Sequence, residues 1–501
     1  MSLRFLLAAA SVAALVSASA QAALTVSSKA TRNVTCTAGV CAATARNAVL
    51  NGDDLAAMLQ SGDVTVASGR IARDIVFSQP PKFEWTGGHR LGLDAYRSLT
   101  IAREMLCSCN SGGLDLKTND GGNGGTLDFA DRGYVAFINP VGVTLTINGA
   151  NYALENSVHA LANAVAGNPS GDFALAGPVN AGTEGTFETA AVPTALNGRF
   201  EGLGNTIQHL RINAQAPGAN VGLFAVVGEG AVSHVRLSGS SVLGGNGARV
   251  GGLAGICMGP IDHVGIVSGR VQGKLGASAG GVCGMLDGTL SEARSSASVT
   301  GVGDSTADGQ GVAGGLVGAA TGGTVIRSAA SGEVLGGANW IAGGLVGHNN
   351  AAVQTSFATG AVLVGDGGTS GGLIGTNINT VANAYATGTT QGGVGSSVGG
   401  MLGTNSAAVS TSYSSGPVAS GSGNAVGGFV GDDTGTLGDD YFDIDTSGQS
   451  HGAGNNTADP GITGLTNAQF QSGLPAGYDP AVWGQDPAVN NGLPYLLAVT
   501  P

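Results

Sequence analysis

GGLVGHNNAAVQTSFATGAVLVGDGGTSGGLIG, residues 343–375, decides the fold. GGLVG at 343–347 leads through a short connector to VQTSFATGAV at 353–362, and GGLIG at 371–375 starts the next copy. Gly347 and Gly375 are 28 residues apart. Working outward, the same marker ends at Gly255, Gly284, Gly318, Gly347, Gly375, Gly403 and Gly431, at separations of 29, 34, 29, 28, 28 and 28 residues. A degraded earlier copy begins at Val221-Gly222-Leu223-Phe224. The long step carries a polar insert at 303–309, and an insert confined to one turn is how repeat folds absorb extra length. A second half-motif follows the later markers: VIRSAASGEV at 325–334, VANAYATGTT at 381–390 and VSTSYSSGPV at 409–418.

Each unit holds two or three runs rich in Val, Leu, Ile and Thr, separated by Gly, Asn and Ser, with no helical stripe. One unit cannot bury its apolar side alone. Stacked units can, each strand pairing in parallel with the next copy about 4.8 Å away. The expected fold is all-β, a right-handed parallel β-helix (solenoid) with a short helix in the lead-in segment and a C-terminal cap. Roughly eight repeat units would give about 35–40 Å of rod. The Leu and Val of the markers should face inward. The repeated glycines fit places of positive φ or close backbone approach. Ser356, Asn383 and Ser412 are expected to form hydrogen-bonding ladders along the rod. A β-propeller would need about 40 residues and four strands per blade.

The chain divides into five parts. Residues 1–22 read as a signal peptide: Arg4, an apolar run Phe5 to Val16, and an A-x-A site at Ala20-Gln21-Ala22. Residues 23–148 have short alternating runs bounded by Gly, Asp and Asn, a β-rich and β-helical pattern, with one helix expected over Asp53 to Gln60. Residues 149–217 form a lead-in with a helix starting at Asn156-Ser157 and stopping at Gly167, with Val158, Leu161 and Val165 on one face. Residues 218–436 are the repeats, and 437–501 close them. No later stretch of about 20 apolar residues is present, so no transmembrane segment is expected after leader removal. The destination is the cell surface or the medium, with the periplasm as the nearer alternative.

Glycine makes up 90 of 501 residues and charged residues only 11%. This is too apolar for a disordered chain and lacks the collagen period. The net charge of −13 argues against a nucleic-acid partner, which needs clustered Lys and Arg. Six cysteines fit an exported protein. Cys36, Cys41, Cys107 and Cys109 suggest two disulfides. Crossed pairing between the clusters is favoured over a strained Cys107–Cys109 ring, and the spacing does not suit zinc. Cys257 and Cys283 sit at non-equivalent repeat positions and are expected as buried free thiols.

The GGLVG…SxATGxV unit resembles the GLUG repeat. The run LTINGANYALENSVHALANAVAGNPSGDFALAGPVNA at 145–181, with GRFEGLGNTIQHLRI at 198–212, resembles the lead-in of filamentous-haemagglutinin-like bacterial surface proteins. YFDIDTSGQSHGAG at 441–454, AVWG at 481–484 and GLPYL at 492–496 resemble their closing segment. The resemblance implies a secreted or cell-surface rod of the adhesin type, binding an extracellular protein or glycan without catalysis. Some chains with this repeat carry a metalloprotease domain; H-E-x-x-H is absent here, so that activity does not carry over.

No cofactor is expected, and no catalytic set stands out. The one metal candidate is Asp443-Ile444-Asp445-Thr446-Ser447-Gly448, the first half of a calcium loop; Asp443, Asp445 and Ser447 would be the ligands. Position twelve is Gly454 rather than the bidentate Glu of an EF-hand. The rival to adhesion is a polysaccharide lyase or hydrolase, which needs paired carboxylates, or calcium and a base, on one lateral face. Glu333, Arg327 and His348 read as isolated. Trp85, Trp340 and Trp483 read as packing residues rather than sugar platforms.

Overall fold

The computed structural model describes residues 22–501 except 123, 131, 306–308, 423–424 and 500. The leader expected over 1–22 lies, but for Ala22, outside the described residues, as does the centre of the 303–309 insert. The molecule is a parallel β-solenoid of about 15 turns. No helix among the described residues is long and apolar enough to cross a membrane.

One repeat shows how a turn is built. Its strands are Val334–Gly336, Ile341–Gly343, Val346–Asn349 and Ala352–Ala358. Each pairs in parallel with its counterpart in the next turn: Val334 with Val362, Ile341 with Thr369, Val346 with Ile374, and Val353 with Val381. Three of the resulting sheets carry eight strands each. The turn therefore has four strands, where two or three apolar runs were expected. The difference lies at Gly343-Gly344, which splits one apolar run into two strands at a tight corner. A Cβ on Gly343 would overlap the carbonyl oxygen of Val346, and one on Gly344 that of Gly372. Close approach, rather than positive φ, is why glycine recurs there.

The core inside the turns is aliphatic. Val334, Leu345, Val346, Val353 and Val362 are fully buried. One apolar core runs from Val158 to Ala453; a second fills the N-terminal turns from Leu24 to Ile147 and also takes in Ala174 and Leu203. Backbone bonds join the two parts, Val135 N–H to Leu203 O (3.0 Å) and Phe137 N–H to Ala176 O (2.6 Å).

Among the described residues, five short α-helices interrupt the strands. α1 (Gly52–Leu59) starts one residue before the expected Asp53, because Asn51 Oδ1 accepts from the N–H groups of Asp53 and Asp54. α2 is Gly69–Ala72. α3 (Val158–Gly167) is the lead-in helix, with Ser157 as its N-cap and Val158, Leu161 and Val165 buried as the spacing required. α4 (Ile444–Ser447) and α5 (Asn467–Ser472) belong to the closing segment.

Two disulfides form among the four N-terminal cysteines, but the crossed pairing and the free thiols at Cys257 and Cys283 are corrected. Cys36 pairs with Cys41, facing it across the hairpin of Val34–Thr37 and Val40–Ala43. Cys107 pairs with Cys109, two positions along one strand, where alternate side chains leave on the same side. The two clusters lie on different sheets, so crossed pairing is out of reach. Cys257 pairs with Cys283 across adjacent turns. Cys283 faces Ala254 and Cys257 faces Leu286 in the paired strands, so the two cysteines sit at opposite ends of adjacent strands, with Cα atoms 6.1 Å apart despite their unequal repeat positions.

Polar side chains inside the rod form columns. Asn349, Asn377, Asn405 and Asp433 pass hydrogen bonds from each Nδ2 to the next Oδ1, at 2.8, 2.8 and 2.7 Å. Ser356 and Ser412 behave as expected of ladder residues, accepting from the N–H groups of Ser328 and Ala384 in the preceding turn. Asn383 instead sits at an outer corner and accepts from Thr411 Oγ1 at 3.1 Å. The serine column ends on Asp440, which accepts from the N–H groups of Ser412 and Gly438.

Two outcomes follow from this packing. Gly344→Ala is expected to lose about 1–3 kcal/mol in urea unfolding, whereas Gly62→Ala, with open space around it, changes stability little. Burial pushes the Asp440 carboxyl from its ordinary 3.8 up to about 8, outweighing the bonds from Gly438 and Ser412; Asp439 and Asp433 add repulsion. A carboxyl raised on folding contributes stability below its unfolded pKa and loses it as pH climbs through the folded one. Asp440→Asn should therefore show a flatter stability profile between pH 4 and 8 than the parent chain, measured by urea unfolding across that window.

Candidate functional site

Each repeat turn has one non-glycine residue in the left-handed region at the same corner. The series is His234, His263, Glu292, Arg327, Thr355, Asn383, Thr411 and Asp439, all with φ between 48° and 55°. For a residue other than Gly, Asn or Asp this conformation costs about 1–2 kcal/mol. It throws the side chain outward and splits the fourth strand at His263, between Ile261–Asp262 and Gly265–Ile266, whereas Thr355 lies within the unbroken strand Ala352–Ala358. Stacking in register then lines these side chains up along the rod. Thr355, Asn383 and Thr411 make a neutral column. Upstream of them the column turns ionic.

At that end the contacts are dense. His234 Nδ1 lies 3.1 Å from Glu201 Oε2, which also accepts from Ser233 Oγ at 2.8 Å. Both the His234 and Glu201 side chains are more than nine-tenths buried. His263 places Nδ1 2.7 Å from Asp262 and Nε2 2.8 Å from Glu292 Oε2, with Asp128 Oδ1 at 3.8 Å. Arg327 Nε donates to Glu292 Oε1 at 2.9 Å. The two imidazole rings face each other at 5.0 Å, and Phe129 meets His234 edge-on at 5.1 Å.

These pairs set the charges. The bonds to Asp262 and then Glu292 push His263 up to about 10, against its partial burial. Burial would raise Asp262, but the bonds from His263 and Ser291 hold it below its ordinary value. Glu292 is lowered by His263 first and also by Arg327.

The cluster lines a cleft of about 220 Å³. Phe129 reaches it from an N-terminal strand, Leu127–Phe129, in which Asp128 stands 3.8 Å from His263, and Ala498 and Val499 close one side from the far end of the chain. A larger groove of about 1010 Å³, lined in part by Arg103, Arg132, Tyr134 and Gln208, shares Gly204 and Arg236 with the cleft. Arg294 and Arg327 continue the basic lining on the cleft side.

The closing segment gets there by running back along the outside of the rod. It covers a second column, Phe357, Tyr385, Tyr413 and Tyr441, in which Phe357 and Tyr385 stack at 4.7 Å and Tyr385 and Tyr413 at 5.2 Å. Trp483 packs over Tyr385 and Tyr413, and its Nε1 donates to Asn383 Oδ1 at 3.1 Å. Tyr413 Oη donates to Pro494 O at 2.7 Å.

The proposed calcium residues lie elsewhere, six turns along the corner column from His263, or about 29 Å at the interstrand spacing. Asp443 Oδ1 caps α4 by accepting from the N–H groups of Asp445 and Thr446, and its Oδ2 accepts from Asn467 Nδ2. Asp445 Oδ2 accepts from Asn467 N–H, and Ser447 Oγ from Gln449 N–H. These oxygens hold α4 and α5 together. The other acidic residues of that stretch separate too, Asp433 ending the asparagine column and Asp440 the serine column. Trp85, Trp340 and Trp483 are all buried packing residues.

The ionic corner was not anticipated. Arg327, read as isolated, is paired with Glu292. The signal was present in the spacing: His234, His263, Glu292 and Arg327 are 29, 29 and 35 residues apart, close to the marker steps of 29 and 34. Sorting the repeats by register would have put them in one column. No protein-family model, curated protein or solved structure matches this chain.

Trp483→Ala tests the strap that closes the cleft. Truncating a buried Trp costs about 3–5 kcal/mol locally. The variant is expected to be cleaved faster by limited proteolysis between residues 444 and 501 while the repeats stay resistant; cleavage at the parent rate would mean the strap is held by other contacts.

Proposed function

We propose that this chain is an exported, surface-associated binding scaffold of the adhesin type, related to GLUG-repeat proteins, and that it grips an extended acidic glycan along its lateral groove. The observation that carries this is the arginine lining. Arg103, Arg132 and Arg236 border the groove, and Arg294 and Arg327 the adjoining cleft, on a chain of net charge −13. Guanidinium groups hold carboxylates and sulfates by paired, charge-assisted bonds. Tyr134 and Gln208 add a ring and an amide of the kind that meet sugar faces and hydroxyls. The long, even flanks of a solenoid suit a ligand that is itself a chain. The repeat resemblance and the leader at 1–22 favour a site of action outside the inner membrane.

A second reading, a polysaccharide lyase or hydrolase, draws support from the convergence of His263, Asp262, Glu292 and Arg327 beside the groove.

Immobilised polyuronate, sulfated glycan and neutral dextran separate the readings. Binding is expected on the acidic matrices, weakening as salt rises, and falling at least tenfold in a chain carrying both Arg132→Ala and Arg236→Ala. No binding to any matrix at micromolar protein sinks the scaffold reading. New reducing ends or unsaturated products would replace it with the enzyme.

A further inference from the structure

We propose that Asp128, His234, His263 and Glu292 form a binding site for a divalent transition-metal ion of the zinc class. The donor atoms of Asp128, His234 and His263 all lie within 4.8 Å of one another, and Glu292 Oε2 is 2.8 Å from His263 Nε2. Metal bonds of about 2.0–2.2 Å in a tetrahedral site put donor atoms about 3.3–3.5 Å apart, so small side-chain rotations gather this set.

The surroundings of the two histidines point the same way. Each turns Nδ1 to a carboxylate, His234 to Glu201 and His263 to Asp262. For His234 that arrangement fixes the tautomer and leaves Nε2 to a metal, whereas His263 Nε2 holds Glu292 Oε2, so an ion there takes the place of the proton between them. The carboxylates are themselves held, Glu201 by Ser233 Oγ and Leu203 N–H, Asp262 by Ser291 Oγ. Arg327 grips the far oxygen of Glu292, leaving Oε2 toward the histidines.

A second, independent observation is His234 Nε2. It is buried, on a side chain more than nine-tenths buried, and no protein group bonds to it. A buried polar atom of this kind in a polar cleft calls for a partner. An ion supplies one, next to the carboxylates of Asp128 and Glu292, in a cleft whose lining also includes Arg236, Arg294 and Arg327. The donor chemistry selects the ion. Two imidazoles and two carboxylates suit zinc and its first-row neighbours, whereas calcium takes six to eight oxygens. All six cysteines are in disulfides, so thiolate ligation does not compete. This inference stands independently of the glycan reading, since the ion needs no groove.

The test uses the full chain, stripped with EDTA and freed of chelator. Calorimetric titration with zinc chloride is expected to show one ion bound per chain. His234→Ala and His263→Ala should each weaken binding at least tenfold, and Glu201→Gln about tenfold through His234. Asp443→Asn should leave the isotherm unchanged, and millimolar calcium should not compete. Circular dichroism checks that each variant is folded. Loading the parent chain with Cu²⁺ and counting nitrogen couplings by electron paramagnetic resonance gives a readout that needs no variant: two imidazole nitrogens support the site. Absence of stoichiometric zinc binding, histidine variants that bind like the parent, or a copper signal without imidazole coupling would each overturn it.

Discussion

Every turn of this rod meets its neighbour residue for residue. Val334 faces Val362, Ile374 faces Leu402, and Tyr385 faces Tyr413 across parallel pairs about 4.8 Å apart. A side chain in such a stack is judged first by whether it tolerates its own kind above and below. Valine and leucine do, and they fill the interior. Asparagine does, because its amide donates one way and accepts the other, so Asn349, Asn377 and Asn405 propagate a chain of bonds. Flat rings do, as Phe357, Tyr385 and Tyr413 show by stacking nearly parallel. Charge does not, because like charges at this spacing repel. The low charge content of the repeats is therefore a condition of the architecture.

Where charge does enter the stack, it alternates or is buttressed. Arg327, Glu292 and His263 follow one another as cation, anion and cation along the corner column. Asp262 and Glu201 stand beside the histidines rather than in line with them. At the other end, Asp433 and Asp440 each terminate a column, taking hydrogen bonds from a single side. A carboxyl group can end a ladder because its oxygens accept the last bonds of the column.

What was legible in the chain follows from the same rule. The markers at Gly347, Gly375 and Gly403 exposed the period, and the period requires the solenoid. Ser157 and the Val158, Leu161, Val165 spacing exposed α3 because capping and helical periodicity are local. The disulfide pairing was not legible because it depends on which strands face each other: a hairpin sets Cys36 opposite Cys41, and stacked turns set Cys257 beside Cys283. At Asp443 and Asp445 a capping aspartate and a metal-binding aspartate share the same local sequence; the structure shows the cap, with Asn467, over 20 residues away, bonded to both carboxylates. The ionic corner was hidden for a different reason. Its members are about a full turn apart in sequence, and Asp128 and Glu201 come from outside the clearest repeats. No local pattern joins them until the turns are stacked.

A uniform solenoid presents flat flanks, because each turn repeats the outline of the last. A concave site needs a place where that repetition fails. Three failures coincide at the His234–Arg327 corner. The N-terminal turns, with their own core, bring Leu127–Phe129 against the first repeats. The corner column changes from neutral to ionic. The closing segment, held along the aromatic column by Trp483 and Tyr413, lays Ala498 and Val499 over the edge. None of these alone makes a cleft: the first leaves an open step, the second a flat charged patch, the third a ridge. Together they enclose a polar space around side chains that the strained left-handed corner holds outward. The left-handed conformation recurs along the whole column, at little cost where Asn383 and Asp439 occupy it, and the ionic end uses a corner that the neutral turns also have.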